Sequence, residues 1–299
     1  MNTHVARLAL TLLPLFSTTA PAALAEEQEP PKLLGPCTVE QLEQPPYGEW
    51  FRKGYDDYAP NPDVVARLRS ADTSGLRVEV FFGTWCGDSR RELPHLVKLL
   101  DTLGFPRERL ALIGVDSTDE LHKRSPGGEQ RDLEIYRVPT FVVEREKSRE
   151  VARIVEYPVV SLERDLLAIV EGRAYEPSYA SYPVVRRWLG DGLLADPNVS
   201  ARGLADEVRH VVSGEGELGA AARVMLHRGQ TREAVKLLEI NCALFRESPR
   251  SFTALAEALV RAGEPERAGE AAERALALGP DRDAAESLAA VIRKTTASE

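Results

Sequence analysis

The sequence predicts an α/β domain, with a central mixed sheet flanked by helices, followed by an α-helical repeat domain. Three observations carry that reading. Residues 78–115 run as strand, helical stripe and strand, and a hairpin and a helix come after them. From about Glu215 the composition shifts to Ala, Leu, Glu and Arg. Within that stretch small residues recur at a spacing of 34, Gly229 to Gly263 and Ala234 to Ala268.

The elements follow in order. Arg7 precedes an apolar run from Leu8 to Phe16, then small residues ending Ala23-Leu24-Ala25, then Glu26-Glu27. This is the order of a secretory signal, so residues 1–25 are expected to be cleaved after Ala25. The run is far short of the ~20 residues that cross a bilayer. No later segment is long and apolar enough to span, so the mature chain is expected in an oxidising compartment, periplasmic or secreted. Residues 26–75 form an extension, and its part 26–62 holds seven prolines between Pro30 and Pro62, which predicts an irregular strap there. Its aromatics, Tyr47, Trp50, Phe51, Tyr55 and Tyr58, are expected to pin it to a domain surface.

Residues 76–172 carry the α/β pattern. Val78 to Phe82 is a strand, and Leu93, Leu96, Val97, Leu99 and Leu100 mark one face of a helix over Arg90 to Leu103. Leu110 to Val115 is the next strand, and the polar stretch Asp116 to Gln130, with Pro126-Gly127-Gly128, is a loop or broken helix. Phe141 to Val143 and Val151 to Val155 make a hairpin around the charged turn Arg145 to Arg149. Ser161 caps a helix carrying Leu162, Leu166, Ile169 and Val170, with Gly172 past its end. Residues 173–214 are expected to be a mostly helical connector, with an amphipathic stretch at Tyr182 to Leu189. Residues 215–299 hold the repeats, closed by a capping helix at Asp283 to Lys294.

Charge and cysteine usage exclude several functions. Lys and Arg number 38 against 47 Asp and Glu, a net charge of −9, so nothing draws the chain to nucleic acid or to an anionic membrane. Three Cys are too few for a disulfide scaffold and lack zinc-ligand spacing; no metal or cofactor is expected. Cys37 and Cys242 pair with each other, stay free, Cys242 then being a small buried hydrophobe, or resolve a mixed disulfide formed on Cys86.

The stretch Phe81-Phe82-Gly83-Thr84-Trp85-Cys86-Gly87-Asp88-Ser89 holds the candidate chemistry. A buried strand ends, the chain turns, and a helix starts at or just after Cys86. Free N–H groups and the positive end of the helix dipole then face the sulfur and favour a thiolate. Arg90 and Arg91 add positive charge, whereas Asp88 opposes it.

These residues resemble the thioredoxin-fold family over residues 76–172. Trp85-Cys86-Gly87 is similar to that family's active-site start, Pro94 stands eight residues after the cysteine inside the helix, and Val138-Pro139-Thr140 resembles its cis-proline turn. The resemblance implies Cys86 as nucleophile, with Trp85, Val138, Pro139 and Thr140 contacting substrate. Ser89 stands at the family's second cysteine and becomes a hydrogen-bond donor to the thiolate. Asp88 replaces the usual Pro, and Val80 the buried Asp that relays protons. No disulfide can close within Cys-x-x-Ser. Counting out from the hairpin centre sets Glu156 opposite Pro139, where it is either a modulator of the thiol, with Asp88 and Arg90, or a solvated strand-end residue.

The repeats resemble the tetratricopeptide family. Leu255, Leu259, Gly263, Ala268, Ala275 and Pro280 fit that pattern, while Asn241 and Arg246 depart from it in the first unit. Two readings of function stand. In one, an exported protein performs thiol–disulfide exchange through the single thiol of Cys86 on a protein substrate recruited by the repeats. In the other, the fold is a non-catalytic scaffold that binds a protein partner.

Overall fold

The computed structural model describes residues 30–145 and 150–296. The expected signal at 1–25 and most of the hairpin turn, residues 146–149, lie outside them. Five strands form one mixed sheet: β1 (Gly35–Cys37), β2 (Leu76–Phe82), β3 (Leu110–Gly114), β4 (Thr140–Arg145) and β5 (Glu150–Val155), in the spatial order β1-β3-β2-β4-β5. β2 and β3 are parallel, while β4 runs antiparallel to both β2 and β5, and β1 antiparallel to β3. Successive side chains on a strand face opposite sides. Val78, Val80 and Phe82 therefore enter one apolar cluster and Phe81 another, as Phe141 and Val143 separate from Val142.

Residues 30–75 are not the irregular strap that the proline count suggests. They contain β1, α1 (Val39–Leu42), α2 (Gly48–Asp57) and α3 (Pro62–Ser70). The prolines occupy places that tolerate them. Pro36 is on an edge strand, Pro45 and Pro46 lie in the turn before α2, and Pro62 opens α3, where Asn61 caps the free N–H groups. The aromatics do hold this segment to the domain. Phe51 is buried, the Tyr55 hydroxyl donates to Asp101 at 2.9 Å, and Tyr58 donates to Glu163 at 2.7 Å while stacking on His95.

α4 (Gly87–Leu103) and α5 (Leu162–Val170) bury their apolar stripes on the same side of the sheet as α2 and α3. Pro94 lies within α4 without ending it, and Gly54 of α2 gives it room, since a Cβ there would come within 2.6 Å of the ring. Ser161 caps α5 through its side chain. Asp116 to Gln130 forms turns with no helix.

The connector is less helical than expected. α6 (Ser181–Gly190) and α7 (Ala201–Val208) cover under half of it, because Gly192 takes a positive φ and Pro197 follows in a run of turns. Beyond it lie α8 (Glu215–His227), α9 (Thr231–Leu244), α10 (Pro249–Ala262), α11 (Pro265–Ala277) and α12 (Arg282–Thr296). The 34-residue spacing is physical: Gly229 and Gly263 take positive φ just past α8 and α10, and Ala234 and Ala268 are fully buried on α9 and α11. A single cluster runs from Tyr136 and Val155 through Trp188 to these helices, so the sheet and the helical segments share one core. No described helix is long and apolar enough to cross a membrane.

Candidate functional site

Cys86 is the N-cap of α4, reached from the buried end of β2 by a turn closed by its N–H on the Gly83 carbonyl at 2.9 Å. Its Sγ donates to the Val138 carbonyl at 3.2 Å. The Val138–Pro139 bond is cis, and both residues are buried. Two segments far apart in sequence thus meet at one sulfur. The neighbouring side chains are tied down. Trp85 Nε1 donates to the Val115 carbonyl at 2.9 Å, and the Thr140 hydroxyl donates to the Arg137 carbonyl at 2.8 Å. Trp85 lies over Gly83, where any Cβ would collide with the indole.

Ser89 is fully buried and accepts from the Gly83 N–H at 3.1 Å. The hydrogen bond expected from Ser89 to Cys86 is not formed; the hydroxyl instead fastens the turn that carries the cysteine. Arg91 pairs with Asp88 and Glu92, both at 2.7 Å, whereas Arg90 donates to the Thr84 carbonyl at 2.6 Å and has no carboxylate partner. Of the two arginines read as thiolate support, Arg90 is the one with no ion pair among the described residues.

Glu156 does face Pro139: its N–H donates to the Pro139 carbonyl at 2.7 Å, from a backbone with φ of 64°. Its carboxylate accepts from Arg137 at 3.0 and 3.1 Å and from the Tyr179 hydroxyl. Burial holds its pKa above the ordinary carboxylate value, against the pull of Arg137. Arg137 also donates to Tyr182 at 2.8 Å and to the Gly216 carbonyl at 3.3 Å, with its guanidinium 4.2 Å from the Tyr179 ring centre. The residue before Val138 therefore links the proline turn to α6 and α8.

Sequence reasoning missed Arg137, Tyr179 and Tyr182. The position of Arg137 beside the Val-Pro-Thr motif was a legible signal; the tyrosines gave none. It also missed Lys123, whose backbone φ is 54° and whose pKa is pushed down to about 8. Burial does most of this, with Arg137 and Arg223 adding to it, while Glu156 and Cys86 act in the other direction.

The three thiols are unpaired and lie in three different apolar clusters. Cys37 packs beside β3, and its thiol pKa is pushed up to about 12 by burial, as is that of Cys242 in α9. This arrangement brings neither to Cys86. Among the described residues, no group of three or more His, Cys, Asp and Glu gathers as a metal site. No family model, curated protein or solved structure matches the chain.

Proposed function

We propose that this chain is an exported thioredoxin-like protein that performs thiol–disulfide exchange through the single thiol of Cys86. The observation that carries the reading is the approach of Cys86 Sγ to the Val138 carbonyl, beside Pro139 and at the start of α4. A helix start and a proline turn on either side of a part-exposed sulfur suit attack on an extended disulfide-bearing segment. In the forward step the Cys86 thiolate attacks one sulfur of the substrate disulfide. A Cys86–substrate disulfide forms, and the other sulfur leaves as a thiolate. A second, external thiolate then attacks the mixed disulfide and releases Cys86. Ser89 holds the turn rigid through Gly83 and takes no part in the exchange. The paired helices, read as tetratricopeptide-like, supply a surface that recruits the protein substrate.

The scaffold reading rests on Val80, fully buried where the resemblance implies a proton-relaying Asp, and on the absence of a second cysteine at Ser89. Reaction with oxidised glutathione decides between the two. The first reading expects Cys86 to take up one glutathione and release one thiol faster than a cysteine in an unstructured peptide. Reaction at or below the peptide rate favours the scaffold.

A further inference from the structure

A cleft of about 590 Å³ opens between the loop after β3 and the helices α8, α9 and α10. That volume lies within the range of small-molecule sites. Lys123, Arg250 and Arg261 line it together with the carboxylates Asp119, Glu215 and Glu257, yet none of the three cations has a carboxylate within ion-pair distance among the described residues. Lys123 and Arg261 both act on His227 and so share its end of the cleft, whereas Arg250 lies at the far end of α10, about 16 Å along the helix from Arg261. A fourth cation on the wall, Arg223, is paired with Asp119 at 3.1 Å. His122 and His227 face each other there with ring centres 5.4 Å apart, and Lys123 Nζ lies 3.0 Å from His122 Nε2. Burial comes first in holding His122 down to about 3 and Lys123 to about 8, and crowding by neighbouring cations adds to both. Unpaired positive charge in a partly buried wall is costly unless an anion balances it.

Two buried atoms within this wall also lack a well-aligned partner. His122, more than nine-tenths buried, has no well-aligned hydrogen-bond partner at Nδ1 among the described residues, although the Ser117 backbone acts on the ring as an acceptor. Asn241, 2% exposed, spends its amide N–H groups on the Glu215 carbonyl at 3.0 Å and on Ser251 at 3.1 Å, which leaves Oδ1 without a donor. Buried polar atoms of this kind are rare in native proteins and need a partner. Asn241 is also the residue that breaks the repeat pattern, in a helix position where Ala is usual. There its amide ties α9 to the starts of α8 and α10.

We propose that this cleft binds a small organic anion, a carboxylate or phosphate held by Lys123 and Arg261 beside His122 and His227. The site does not depend on the chemistry of Cys86. Gly219 gives the means to close it: it lines the cleft, lies within α8, and an added Cβ meets nothing within 4 Å. Gly219→Leu therefore fills the space while raising helix propensity.

The test is calorimetric titration of the full chain with L-glutamate and with O-phospho-L-serine, each against its uncharged counterpart, L-glutamine or L-serine. At least one anion is expected to bind about tenfold or more tightly than its counterpart. Arg261→Gln is expected to weaken it about tenfold, and Gly219→Leu to abolish it without lowering the melting temperature. The glutamate and phosphoserine arms tell a carboxylate site from a phosphate site. Failure of both anions to bind at about 10 mM overturns the proposal, and so does binding that both variants leave unchanged.

Discussion

The thiol of Cys86 is 3.2 Å from the carbonyl oxygen of Val138, so the cysteine turn and the proline turn are held together by the sulfur itself. A hydroxyl at position 86 can donate to the same oxygen. Cys86→Ser is therefore expected to keep the stability of the chain within about 0.5 kcal/mol while losing all mixed-disulfide formation. Denaturant unfolding and mass spectrometry after oxidised glutathione read the two effects separately. A large loss of stability would mean that packing of the sulfur, not its hydrogen bond, holds the turns together.

Arg137 and Glu156 form the second tie. Both side chains are mostly buried, and the guanidinium also carries bonds to Tyr182 and Gly216. Removing one member of such a pair leaves the other as a buried, unbalanced charge, at a cost of about 3 kcal/mol. Arg137→Met and Glu156→Gln are each expected to cost about that much, and the double variant less than their sum. A double-mutant cycle in urea measures the coupling; strict additivity would show the pair to be energetically idle.

Gly83 has no room for a side chain. A Cβ there would come within 2.6 Å of the Trp85 indole nitrogen, which is held by the Val115 carbonyl. Gly83→Ala must displace the ring and break that bond, at an expected cost of about 1–3 kcal/mol. Tryptophan fluorescence should report the move; an unchanged spectrum with unchanged stability would contradict the packing described.

How much of this was legible follows from how local each signal is. The run from β2 through α4 to β3 is written in periods of two and 3.6, which a short window of sequence displays. The prolines of residues 30–75 misled because their number was read and their positions were not: Pro36 sits on an edge and Pro62 opens a helix. Glu156 was placed by counting along a hairpin, but its partner Tyr179 arrives from a connector with no motif. The cleft was wholly hidden, since His122 and His227 meet only when a loop after β3 docks on α8.

Three groups with large shifts shape the response to acid, Glu150, His122 and Glu79. Burial raises the pKa of Glu150, but the bonds and charges of Arg153 and Arg186 outweigh it and hold the carboxyl down at about 2. Its folded pKa lies below its unfolded one, so its stabilisation is complete above about 4.5 and is lost as the pH falls toward 2. His122 is held down to about 3, so the unfolded chain takes up a proton between about 6.5 and 3 that the folded chain refuses. Glu79, pushed up to about 7 by burial, works the other way between about 7 and 4.5, where the folded chain holds a proton that the unfolded one releases. Stability is therefore expected to change little from about pH 6.5 to 4.5 and to fall steeply below about 4.5. His122→Gln should make stability rise as the pH falls from about 6.5 to 4.5, and Glu150→Gln should make the fall below about 4.5 shallower. Glu150→Gln should also cost about 3 kcal/mol near neutrality. Melting temperatures across pH 3 to 7 test this; identical slopes in all three proteins would refute both assignments.

Ser89 offers the sharpest test of the proposed chemistry. Its hydroxyl is fully buried and accepts the Gly83 N–H at 3.1 Å. Ser89→Ala leaves that N–H unsatisfied and is expected to cost about 1–3 kcal/mol, with the reaction of Cys86 toward oxidised glutathione retained. Ser89→Cys gives a weak acceptor in place of a good one, so it should also lose stability. It places a second thiol one helical turn beyond Cys86, however, where a disulfide between the two can close. The reduced variant is expected to reduce one insulin disulfide per chain with its own two thiols, which end as the internal disulfide, and to turn over when added dithiothreitol reduces it again, whereas the parent stops at the mixed disulfide until a small thiol is added. Val80 and Asp88, which stay in place, are expected to keep the gain below that of a dithiol protein with a proton relay. If Ser89→Cys forms no internal disulfide on oxidation, the position assigned to Ser89 relative to the nucleophile is wrong. If it forms one and still reduces nothing, the turns around Cys86 do not admit a substrate disulfide, and the scaffold reading takes the place of the enzymatic one.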